Sequence, residues 1–179
     1  CLMASDKSYS RDFFSFHRSL KQRNAALKFK MLSNIDMWSE IFINTGTSIS
    51  DKRIKFFEET KNIFFGFSKN LRDSRVLEII NSLEIIFYKG WTEENSLNAV
   101  LDLNKDADQR KTTTTSGPHR ADIKFLIGGS DIKYILSRGE QKFMSILWCL
   151  SMHKTLSVSY GVKPFLIIDD IHSELDEGF

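Results

Sequence analysis

A chain of 179 residues, 41% apolar and 27% charged with 15 phenylalanines, holds enough apolar material for a core, which excludes a disordered polymer. Two prolines exclude collagen-like and proline-rich linker classes, and two cysteines at opposite ends, Cys1 and Cys149, exclude a disulfide scaffold and a CxxC metal site. The net charge of +2 conceals a split: residues 11–30 carry Arg11, Arg18, Lys21, Arg23, Lys28 and Lys30 against Asp12 alone, whereas residues 165–179 carry Asp169, Asp170, Glu174, Asp176 and Glu177 with no Lys or Arg.

No apolar run approaches the roughly 20 residues needed to span a bilayer, and no signal peptide opens the chain. The expectation is a soluble, cytoplasmic protein with no membrane contact. The start at Cys1-Leu2-Met3-Ala4 and the stop at Glu177-Gly178-Phe179 read as cuts, so the chain is expected to be a segment of a larger protein.

From Ser10 to Met31 the pattern is helical. Phe13, Phe16, Leu20, Leu27 and Met31 share one side, and Arg11, Arg18, Lys21 and Lys28 gather on a largely opposite one. Ser33-Asn34 is a plausible break, with Asp36 as the cap of a second helical run to Phe67. In that run Trp38, Phe42, Thr45, Ile49, Lys52, Phe56, Ile63 and Phe67 recur at near-heptad spacing, and Gly46 with the Thr/Ser cluster from Thr45 to Ser50 suggests a kink or two shorter helices. Together the two runs predict a helical hairpin or small bundle over residues 1–75.

Residues 76–179 read as mixed α/β. Ser82–Tyr88 is a predicted strand, and Glu93–Asp108 is a polar helix with Thr92 as cap. Thr112–Thr115, Ile123–Ile127 and Ile132–Tyr134 are further strands, punctuated by Ser116-Gly117-Pro118 and Gly128-Gly129. Gly139 to about Ser157 is helical, with Phe143, Ile146, Leu147, Leu150 and Leu156 on one side. Pro164 then opens the apolar strand Phe165–Ile168.

Two pieces carry chemistry. Phe165–Ile168 ending in Asp169-Asp170 describes a strand whose carboxyl end meets solvent, where open α/β sheets bind ligands. A carboxylate there can hold Mg²⁺ against nucleotide phosphates, and the next acid can orient or deprotonate water. Leu136-Ser137-Arg138-Gly139-Glu140-Gln141 opens a helix whose N-terminus suits an anion. Each has a plain structural alternative: strand-ending acids, an ordinary capping box of Ser137 with Glu140, and a solvated basic helix face.

Joined in order, the Ser-Gly turn, the helix and the apolar strand ending in Asp-Asp look like the signature and Walker B elements of an ABC-type ATPase head. Ser173-Glu174-Leu175-Asp176 falls where that class has its D-loop. Leu20-Lys21-Gln22-Arg23-Asn24-Ala25-Ala26-Leu27 and Ser116-Gly117-Pro118-His119-Arg120-Ala121-Asp122 sharpen the match. The chain resembles the RecF family of recombination-mediator ATPases of bacterial DNA replication and repair.

The resemblance implies an α/β fold: the C-terminal part of an ABC-type head (residues 76–179) with an inserted helical arm (residues 1–75). It implies ATP with Mg²⁺ as cofactors, and a homodimer that forms on ATP and holds double-stranded DNA or gapped, single-strand/double-strand junctions. With RecO and RecR partners such a clamp supports recombinase loading and the SOS response. Carried onto this sequence, Ser137, Arg138 and Gly139 contact ATP held by the partner head. Asp169 serves Mg²⁺, Asp170 sits at the catalytic carboxylate's place, and Glu174 and Asp176 belong to the D-loop. Arg18, Lys21, Arg23 and Lys28 become DNA-facing candidates.

Two departures qualify the match. Glu140 stands where the family's signature carries Gln. No stretch matches G-x-x-x-x-G-K-[ST], the loop that cradles ATP phosphates, so the segment alone is expected to bind ATP poorly and hydrolyse it hardly at all. The alternative function is a non-catalytic interaction module with a degenerate head. A structural-maintenance-type head is ranked below both, because the helical segment is too short for its arm.

Overall fold

The computed structural model describes residues 2–67, 69 and 71–167. The acidic run Asp169, Asp170, Glu174 and Asp176 lies outside the described residues. Two compact units emerge, Leu2–Lys55 with Phe87–Asp122, and Phe56–Ile86 with residues from Ile123 on. They interleave along the chain rather than dividing it at residues 75 and 76.

In the first unit a short helix α1 (Leu2–Ser5) precedes α2 (Lys7–Lys28). Asp6 starts α2 because its carboxylate accepts from the Ser8 and Tyr9 backbone N–H groups at 2.7 and 3.1 Å. Tyr9, Phe16, Ser19, Arg23, Ala26 and Leu27 form its buried face. Met31, placed on that face by the sequence pattern, lies past the helix end and is half exposed. The next helix, α3 (Leu32–Phe67), is continuous. Neither a break at Ser33-Asn34 followed by an Asp36 cap nor a division into two helices at Gly46 forms. A Cβ on Gly46 would lie 3.0 Å from Leu97, 3.3 Å from Pro118 and 3.4 Å from Phe16, so glycine admits close neighbours there instead of breaking the helix.

The polar stretch expected as one helix capped by Thr92 is two: α5 (Leu97–Leu103), capped by Ser96, and α6 (Lys105–Lys111). Thr112 ends α6 in the left-handed conformation at φ 52°. Thr112–Thr115 is not a strand. Its backbone donors go to side chains: Thr114 N–H to Asn24 Oδ1 at 2.8 Å and Thr115 N–H to Asp108 Oδ1 at 2.9 Å.

The second unit contains the end of α3, α4 (Ser74–Ser82), most of β1 (Leu83–Tyr88) and of β2 (Asp122–Ile127), β3 (Ser130–Asp131) and α7 (Arg138–Ser159). The sheet order is β1-β2-β3, with β2 and β3 antiparallel in the register Leu126↔Asp131. Phe57, Phe64, Phe125 and Trp148 build an aromatic core, Phe125 and Trp148 meeting edge-on at 5.3 Å. Val76, Ile79, Ile80 and Ile85 are buried as well. Ile132–Tyr134 is a 3-10 turn rather than a strand, set by the Asp131 carboxylate accepting from the Lys133 N–H. Residues 165–167 form no strand, and Phe165 and Ile167 are almost fully exposed. A strand needs a hydrogen-bonded neighbour, and among the described residues β1, β2 and β3 pair with one another. Among the described residues no helix is long and apolar enough to cross a membrane.

Candidate functional site

In the second unit, the Ser137 turn opens the 22-residue helix α7. The Ser137 hydroxyl accepts from the Glu140 N–H at 3.3 Å, and Glu140 Oε2 accepts from the Ser137 N–H at 2.7 Å, which completes a capping box. The other carboxylate oxygen, Oε1, accepts from Arg75 Nε at 2.9 Å. Burial pushes the Glu140 carboxyl up, but the Ser137 N–H, the Arg75 guanidinium and the Ser137 hydroxyl outweigh it and hold it below its ordinary range. Arg138 is exposed beside the cap, and Gly139 is half-buried.

In the first unit, α2 presents a basic face. Lys7, Arg11, Arg18, Lys21 and Lys28 are exposed and follow one another at helical spacing, with exposed Phe14 among them. The row spans about 32 Å at the usual rise per residue. Asp12, the only acid of α2, is turned toward α3, where it accepts from Ser48 at 2.7 Å and Lys52 at 3.0 Å.

Arg23 is not part of that face. Only 3% of it is exposed. Its Nη1 donates to Asp108 at 2.8 Å and to Thr114 Oγ1 at 2.6 Å, and its Nε donates to Ser39 at 2.9 Å. This corrects its placement among the DNA-facing residues: a buried guanidinium committed to Asp108, Thr114 and Ser39 cannot reach a phosphate. Asn24 beside it accepts from both the N–H and the hydroxyl of Thr114. Two residues of one motif therefore fasten α2 to the 108–115 segment.

The second motif is fastened as well. Gly117 N–H donates to the Gly90 carbonyl at 3.0 Å, and Arg53 Nη1 donates to the Pro118 carbonyl at 2.8 Å. His119 lies beside Phe16 and Phe42, with Nε2 3.0 Å from the Thr114 carbonyl. A carbonyl only accepts, so Nε2 carries the proton and Nδ1 is a bare acceptor, buried without a partner. The ring is therefore held as a structural group.

Burial lowers the His119 pKa from its ordinary 6.5, outweighing the Thr114 carbonyl that favours the charged ring. The unfolded chain then takes up a proton before the folded one does. The stability this neutral ring contributes is complete above 6.5 and is lost as pH falls from there through the folded value. Denaturant melts across about pH 5–8 should show the loss in wild type and a smaller one in His119→Gln. An identical pH profile in both proteins would refute the assignment. His17, also lowered by burial, supplies the slope that remains.

No family model matches the sequence. Among curated proteins, the DNA replication and repair protein RecF of Pseudoalteromonas translucida is 34% identical over 166 residues, 91% of this chain and 44% of that protein. RecF of Hahella chejuensis is 34% identical over 170 residues, 92% of this chain and 44% of that protein, and RecF of Geotalea uraniireducens is 28% identical over 179 residues, 98% and 49%. A solved structure of the recombination mediator protein RecF with ATP, in the RecFOR pathway, superposes with a TM-score of 0.80 at 30% identity, covering 99% of this chain and 49% of that one. The corresponding ATPγS structure gives 0.80 at 29%, covering 98% and 49%. The chain spans about half the length of the relatives it matches.

The fold is thus that of part of an ABC-type ATPase, mixed helix with a small sheet. Over the stretch that it spans, the chain belongs to the RecF family.

Proposed function

We propose that this chain supplies the signature-bearing half of an ATP-gated DNA clamp. The observation that carries the reading is the capped N-terminus of α7, where Ser137 is fixed in place, Arg138 is exposed, and the Glu140 carboxylate is already paired with Arg75. These residues suit a phosphate: the helix end favours negative charge, and the Arg138 guanidinium is exposed beside it. Ser137, Arg138 and Gly139 would contact ATP held by a second head, and ATP would join two heads into a homodimer. Asp169 would serve Mg²⁺ and Asp170 would handle the attacking water, with Glu174 and Asp176 in the D-loop. Structures of the family with ATP and with ATPγS support the nucleotide.

DNA would lie along the basic face of α2, on Arg18, Lys21 and Lys28, with Lys7 and Arg11 extending the row. The activity would be repair at gapped or single-strand/double-strand junctions in the cytoplasm, with RecO and RecR. The test uses the full-length protein, with ATP-dependent dimerisation and DNA binding measured at several salt concentrations. Ser137→Arg should abolish dimers, and Asp170→Asn should trap them. Replacing Arg18, Lys21 and Lys28 with alanine should flatten the salt dependence by roughly 0.9 per lost phosphate contact. DNA binding that ignores ATP, with Ser137→Arg and Asp170→Asn both silent, would favour the interaction-module reading instead.

A further inference from the structure

Glu140 places a carboxylate in the first turn of the helix whose end would meet the γ-phosphate. Two anions at one helix end oppose each other, so this carboxylate requires a counter-charge. Arg75 provides it. It sits in the first turn of α4, a helix held by Asp73, whose carboxylate accepts from the Val76 N–H at 2.8 Å. Arg75 Nε donates to Glu140 Oε1 at 2.9 Å, and Nη1 donates to Glu78 at 3.1 Å. The Glu140 side chain is 11% exposed and that of Arg75 53%, so the carboxylate is fixed and the guanidinium covers it from the solvent side.

We propose that Arg75 is a positioning residue for the signature turn. It neutralises Glu140 and locks its carboxylate into the cap, so that the end of α7 can receive the triphosphate of a second head. The inference rests on the reading of Ser137–Gly139 as ATP-contacting residues. Arg75 itself touches no nucleotide. It acts through Glu140, and its importance depends on the charge there. With glutamine at 140 the cap can still form through the amide oxygen, and no charge remains to be neutralised.

The test compares Arg75→Gln, Glu140→Gln and the double variant in the full-length protein, with Ser137→Arg as control. It reads the ATP concentration for half-maximal dimerisation and the melting temperature without ATP. Arg75→Gln should raise the ATP requirement roughly tenfold, the scale of one hydrogen bond to a charged group. Its melting temperature should change little, because the pair is largely solvent-facing on the arginine side. In the Glu140→Gln background the Arg75 substitution should be silent. An equal effect of Arg75→Gln in both backgrounds, or a changed melting temperature with an unchanged ATP requirement, would overturn the inference. If Ser137→Arg dimerises as well as wild type, the reading of the signature turn fails, and the inference falls with it.

Discussion

Replacing Arg23 with alanine is expected to cost about 3–5 kcal/mol of stability, the range for removing one partner of a buried ion pair. The loss has three parts. Asp108, fully buried, keeps its bonds from Thr115 but loses the cation at its other oxygen. Ser39 and Thr114 lose their donor. The aliphatic stem of Arg23, buried with the rest of the side chain, is also lost. Arg23→Lys should fall between wild type and alanine, because one ammonium cannot reproduce the geometry of Nε and Nη1 on three partners. Urea melts with unchanged slope would measure the difference. A cost below about 0.5 kcal/mol, ordinary for an exposed residue, would contradict the burial. The same experiment separates structure from DNA contact: alanine at Arg18, Lys21 or Lys28 should leave the melt nearly unchanged while weakening DNA binding.

How much of this was legible in the sequence depends on the element. α2, β1, β2 and α7 are readable because local signals agree: a dominant periodicity in the helices, an apolar run ended by Lys89-Gly90-Trp91 for β1, and a capping box before α7. The inward face of α3 was readable only at Phe42 and Ile49. Elsewhere the buried residues are Ile35, Phe57, Thr60 and Phe64 rather than Trp38, Phe56, Ile63 and Phe67. A straight helix drifts about 20° per heptad, so a heptad pattern read over 36 residues ends nearly one residue off its true face.

The Thr112–Thr115 misreading has a different origin. Threonine favours strands, but these backbone donors are captured by Asn24 and Asp108, which no local pattern discloses. α4 escaped notice because its nine residues fall between a polar loop and a strand with only Asp73 to mark the start.

In the candidate sites, Arg23 was grouped with the basic face through its charge, yet the helical wheel already separated it. At 100° per residue it falls about 20° from Phe16 and some 120° from Arg11, among apolar neighbours. A cation on an apolar face requires a buried partner, and position alone could have raised the question that Asp108 answers. Arg75 offered no such signal, because its role depends on a contact with Glu140 that is 65 residues distant. The order of the motifs made the family recognisable. Each of the two strings has a structural task in the first unit: Arg23 and Asn24 fasten α2 to the 108–115 segment, and Gly117 is fastened to Gly90.

Gly90→Ala should be among the most damaging single substitutions in the first unit, costing about 4 kcal/mol or more. Gly90 has φ 100°, a conformation L side chains rarely adopt, and a Cβ there would lie 2.0 Å from the Gly117 carbonyl oxygen and 3.1 Å from the Ala121 nitrogen. Those obstacles are backbone, so no rotamer change relieves them. Relief requires parting the two segments, which breaks the Gly117 N–H bond to the Gly90 carbonyl and displaces the turn carrying Pro118 and His119. Gly128→Ala is the matched control: its φ is 57° and nothing lies within 4 Å of the added carbon. Only the cost of the left-handed backbone remains there, about 1–2 kcal/mol. The difference between the two melts isolates the close approach of the 90 and 117 segments from glycine's conformational freedom. Equal losses at both positions would mean that the segments are not in contact in solution. A much larger loss at Gly90, with the Arg53 and Phe42 neighbours of the turn disturbed in the same variant, would establish that contact as the anchor of the second family motif.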